Sequence, residues 1–122
     1  MKILIADDSK FMRIKLRQVC ERTKPEEVEE AANGLEALQK CETFKPDLVF
    51  MDVTMPQMNG VEATERIKAK YPQIKVVICS AIAGTKMVQE MLEKGADEII
   101  AKPFSDDKVL EVIDMVTRQL QQ

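Results

Sequence analysis

Apolar residues in this chain fall into short unbroken runs, and between the runs they recur at intervals of three and four. Lys2 to Ala6, Leu48 to Asp52, Ile74 to Cys79 and Glu98 to Ala101 contain the runs. Segments this short and this apolar predict strands buried on both faces. Between them lie Met12, Leu16, Val19 and Cys20, then Leu35, Leu38 and Cys41, then Val61, Thr64 and Ile67. Met87, Val88, Met91 and Leu92 follow, and last Val109, Val112, Ile113, Val116 and Leu120. Each set predicts a helix that buries one face. Ser9, Asn33, Asn59, Thr85 and Ser105 stand where those helices need a capping oxygen. Glu36 and Glu62, three residues after the two asparagines, complete capping-box patterns. Lys24-Pro25, Tyr71-Pro72 and Gly95 supply the stops. One stretch is weaker. Glu26 to Ala32 offers only Val28 and Ala31 among its glutamates, which suits a short edge strand shielded by charge.

Strand and helix therefore alternate through five units, which predicts an α/β fold. It is a single five-stranded parallel sheet with right-handed crossovers and helices on both faces. Five units are too few for an eight-fold barrel, so the sheet is open and doubly wound. The pattern accounts for residues 1–122 without a linker or second domain, and one domain is expected.

Composition removes several classes of function. A net charge of −3 gives no reason to expect nucleic acid or an anionic membrane as partner. Cys20, Cys41 and Cys79 have no metal spacing and read as free thiols of a reducing cytoplasm. The opening apolar run stops at Asp7-Asp8, too short for a signal peptide or a membrane span. The chain contains no histidine, which excludes His-based catalysis and His metal sites.

The polar residues at the strand ends carry the chemistry. Asp7 and Asp8, Asp52, Ser80 and Lys102 all close predicted strands, and a parallel sheet brings such ends to one edge. Singly, Ser80 reads as a cap, Lys102 as a surface lysine and Asp8 as a helix-start acid. Together they gather three carboxylates, a hydroxyl and an ammonium. Carboxylates that crowd together repel, and oxygen ligands of this kind suit Mg²⁺. A carboxylate can also act as the nucleophile in phosphoryl transfer, where positioning and charge neutralisation do most of the work.

Asp7-Asp8, Met51-Asp52, Ser80-Ala81 and Lys102-Pro103-Phe104, with the loop from Met55-Pro56 to Gly60, resemble the receiver domain of bacterial response regulators. Within that family, Met51 to Gly60 and Cys79 to Gly84 resemble chemotaxis receivers of the CheY type. The resemblance implies the flavodoxin-like strand order 2-1-3-4-5, for which the chemotaxis receiver is a standard example. It implies that Asp52 accepts a phosphoryl group. Asp8, Asp52 and the backbone carbonyl of Thr54 would bind Mg²⁺ directly, and Asp7 through water. Ser80 would move to the phosphoryl group and Lys102 would be its cation. It suggests a cis Lys102–Pro103 bond. The family's aromatic switch position, three residues before the lysine, holds Ile99 here, which has no ring to swing.

The implied protein is a stand-alone, monomeric, cytoplasmic switch without an output domain. A sensor histidine kinase is its phosphodonor, and its output goes to another protein, a flagellar motor or chemotaxis component. Two rivals remain at this point: a phosphorelay intermediate that passes the group onward, and a small Mg²⁺-dependent phosphohydrolase. Phe11 and Phe104 flank the site and suit a partner dock or the core equally.

Overall fold

The computed structural model describes residues 1–81 and 86–121, without the side chain of Met87. Strands and helices alternate as β1 (Lys2–Ala6), α1 (Lys10–Glu21), β2 (Glu27–Ala31), α2 (Gly34–Thr43) and β3 (Leu48–Asp52). They continue as α3 (Gly60–Lys70), β4 (Lys75–Ser80), α4 (Lys86–Glu93), β5 (Glu98–Ala101) and α5 (Asp106–Leu120). The sheet is parallel throughout, in the order β2-β1-β3-β4-β5. This is the flavodoxin-like arrangement expected above.

Alternation along the strands divides the core in two. Ile3, Ile5, Leu48, Phe50, Val77 and Ile100 face α1 and α5, where Leu16, Val19, Val112 and Val116 meet them. Leu4, Val49, Met51, Val76 and Ile78 face the other way, onto Ala37, Ala63, Ile67 and Met91 of α2, α3 and α4. The central strands are closed on both faces, as their unbroken apolar runs require.

Local signals set most boundaries. The side chains of Ser9, Asn33, Asn59 and Ser105 each accept the backbone N–H three residues on. Such a bond satisfies one of the orphan donors of a helix start. Thr85 lies outside the described residues. Helix α1 ends at Glu21, before the expected stop, and Lys24 turns the chain with φ 54°. Three expected core leucines are solvent-facing: Leu35, Leu92 and Leu120. On α2 the buried stripe runs instead through Gly34, Ala37 and Cys41. Leu35 falls outside that stripe.

Candidate functional site

Asp52 ends β3 in the middle of the sheet, level with Cys79 of β4. One residue beyond Cys79, Ser80 ends β4 and is buried; its carbonyl accepts the Lys102 N–H at 2.7 Å. Asp7 follows β1 on the other side. Its N–H donates to the Ala31 carbonyl at 3.0 Å, and its Oδ1 accepts the Ser9 N–H at 2.9 Å. Both bonds fix the turn from β1 into α1, leaving Asp7 buried and Asp8 exposed beside it.

Carboxylate oxygens of Asp7, Asp8 and Asp52 all lie within 4.8 Å of one another. Lys102 reaches over from the end of β5, with Nζ 2.9 Å from Asp52 Oδ1 and 3.1 Å from Asp7 Oδ2. The Lys102–Pro103 peptide is cis. Burial pushes the Asp52 carboxyl above its ordinary range; the Lys102 hydrogen bond opposes this and the charge of Asp7 adds to it. Burial alone would lower Lys102, but its hydrogen bond to Asp52 and the two carboxylate charges prevail and raise it.

The sequence-predicted residues thus split in three. Asp7, Asp8, Asp52 and Lys102 come together by direct geometry. Ser80 sits on the neighbouring strand end, and Thr54 is exposed in the loop that follows β3. Phe104 packs into the core, whereas Phe11 is 73% exposed on α1. Three hard oxygen donors with a charge excess over one ammonium form a group that could hold a divalent metal.

Sequence reasoning missed Arg13 and Glu30. Arg13 donates to the Asp7 carbonyl at 2.7 Å and, through Nε, to Glu30 Oε1 at 3.0 Å. Arg17 takes the other Glu30 oxygen at 2.8 Å. The clamp ties edge strand β2 to the turn that presents Asp7. Its signal was two arginines four apart, on one face of a helix, next to an acidic strand.

The family model described as the response regulator receiver domain matches residues 3–114. A protein named chemotaxis protein CheY from Listeria monocytogenes is 44% identical over 118 residues, 97% of this chain and 99% of that one. The protein of that name from Thermotoga maritima is 40% identical over 117 residues, 96% of this chain and 98% of that one. Among solved structures, the CheX–CheY–BeF3–Mg+2 complex from Borrelia burgdorferi contains a chain that superposes with a TM-score of 0.89 at 32% identity. The match covers 96% of this chain and 89% of that one.

Proposed function

The chain belongs to the response regulator receiver family, and on that premise we propose that it is a signalling switch phosphorylated on Asp52. One observation carries the reading: the Asp52 carboxylate is half-buried at the carboxyl edge of the sheet, with Lys102 2.9 Å away and two further carboxylates close by. An Asp52 oxygen attacks phosphorus as the bond to a histidine nitrogen of a sensor kinase breaks. The nitrogen keeps the electron pair, and the product is an aspartyl phosphate. No histidine of this chain takes part, since it has none.

Lys102 holds the attacking carboxylate and stays charged, so its ammonium is available to the phosphoryl oxygens as negative charge accumulates there. Ser80, on the adjacent strand end, is the hydroxyl assigned to the phosphorylated form. Asp8, Asp52 and the Thr54 carbonyl would hold Mg²⁺, with Asp7 acting through water. The all-oxygen donor set and its excess charge support that ion. When bound, Mg²⁺ neutralises phosphoryl oxygens beside the carboxylates.

The switch acts on another protein. Relatives named chemotaxis proteins, and a related chain solved in complex with CheX, support a chemotaxis or flagellar component as that partner. Signalling by a retained phosphoryl group distinguishes this reading from a phosphohydrolase, which turns over free substrate. Incubation with acetyl phosphate and Mg²⁺ is expected to add one phosphoryl group by intact mass, and Asp52→Asn to abolish it. Equal labelling of the variant, or turnover without an adduct, would sink the assignment.

A further inference from the structure

The loop from Val53 to Asn59 joins the acceptor strand to α3, and its backbone is unusual. Gln57 has φ 68°, and the Met58 N–H donates to the Pro56 carbonyl at 2.7 Å. A hydrogen bond spanning two residues around a positive φ is the rarer, strained form of γ-turn. A non-glycine residue keeps such a conformation only when its surroundings hold it there.

Two glycine amides supply the hold. Gly60 donates to the Val53 carbonyl at 2.8 Å and so closes the loop on its own strand. The other comes from a distant element. Gly34, first residue of α2, donates to the Met58 carbonyl at 2.9 Å. A Cβ on Gly34 would overlap the Met58 carbonyl oxygen outright and lie 2.7 Å from its carbon.

Helix initiation does not explain this glycine. Asn33 already caps α2 through the Glu36 N–H at 2.8 Å. Gly34 also lacks the positive φ that would call for glycine, which Gly95 has. Alanine would favour the helix by up to about 1 kcal/mol. What the glycine provides is a bare α-carbon against the loop.

We propose that Gly34 is a positioning residue for the phosphoryl-acceptor site, fixing the 53–59 loop and with it the Thr54 carbonyl in the register that Asp52 and its metal use. The inference rests on the function proposed above, because it assigns the loop a role in holding Mg²⁺. It also makes β2 and α2 part of the site's scaffold, since they deliver Gly34 to the loop.

The test is calorimetric titration of the folded chain with Mg²⁺, beside amide NMR. Gly34→Ala is expected to weaken Mg²⁺ binding about 10- to 100-fold, the range for loss of a group that orients a metal ligand. Amide shifts without metal should concentrate in residues 52–60 and at the start of α2. Leu35→Ala, at the next and exposed position, should bind Mg²⁺ as the wild type does. Wild-type affinity in Gly34→Ala would overturn the role of Gly34 while leaving the proposed function standing. Failure of the wild type to bind Mg²⁺ would overturn both. Should Gly34→Ala not fold, the wild type still decides. Coupling is reciprocal, so Mg²⁺ must strengthen the Gly34 contact by the factor that the contact strengthens Mg²⁺. Hydrogen exchange at the Gly34 amide is therefore expected to slow about tenfold or more on saturation with Mg²⁺; an unchanged rate would overturn the inference.

Discussion

The two ends of this sheet treat carboxylates in opposite ways. At the end where the strands begin, the aspartates that precede β3 and β5 are matched to donors. Asp47 accepts the Lys2 N–H at 2.8 Å. One oxygen of Asp97 accepts both the Val76 N–H and Lys68 Nζ, each at 2.9 Å. Lys68 itself spans to the Ile74 carbonyl at 2.8 Å. At the other end, Asp7, Asp8 and Asp52 face one another, with Lys102 as the ammonium that Asp7 and Asp52 share. Acids that meet backbone N–H groups hold strands together; acids that meet each other store repulsion a ligand can relieve.

Substitutions at the two ends should separate these roles. Asp8→Ala removes a donor from the crowded end and is expected to weaken Mg²⁺ binding about tenfold or more, read by titration. Unchanged affinity would make Asp8 a helix-start residue and dissolve the contrast. Asp97→Ala is its counterpart. It strands the Val76 N–H, takes the carboxylate from Lys68, and should cost about 1–3 kcal/mol by urea unfolding, with Mg²⁺ binding intact. A loss of metal affinity there would show that the ends are coupled.

The third outcome belongs to neither end. Burial pushes the Cys20 and Cys41 thiols up from 9.0 to about 12. Above about pH 9 the unfolded chain releases these protons and the folded chain keeps them, so stability falls as pH rises. The stability is complete below about 9 and is lost toward 12, by about 1.4 kcal/mol per pH unit for each thiol. Urea midpoints between pH 9 and 11 should decline accordingly, and Cys41→Ala should remove one thiol's share of the slope. A profile as steep in Cys41→Ala as in the wild type would place the alkaline sensitivity elsewhere.

Much of this molecule was legible in its sequence because the informative signals are local. The capping oxygens of Ser9, Asn33, Asn59 and Ser105 marked four helix starts, and the apolar runs marked four strands. The polar strand ends Asp7, Asp52 and Lys102 converge because parallel pairing leaves them one edge to share. Contacts between backbones were not legible. Gly34 carries no periodicity, and its reason lies at Met58, on a loop far along the chain. The signal was faint but physical: a glycine directly after an asparagine that already capped the helix. Leu35 misled as well. Apolar spacing assigned it to the core, while the buried stripe of α2 runs through Gly34, Ala37 and Cys41.

The position of β1 also governs how the chain must fold. Strand β1 lies inside the sheet, bonded to β2 on one side and to β3 on the other. Its Lys2 N–H meets Asp47, 45 residues downstream. Every neighbouring strand pair encloses a helix, so no hairpin can form early and reduce the entropy of closing the next loop. Folding that depends on such distant pairings is slow for a domain of this size. The half of the chain from β1 to β3 holds both of β1's bonds and one face of the acceptor site. Substitutions there should change the folding rate, and those in β5 and α5 mainly the rate of unfolding.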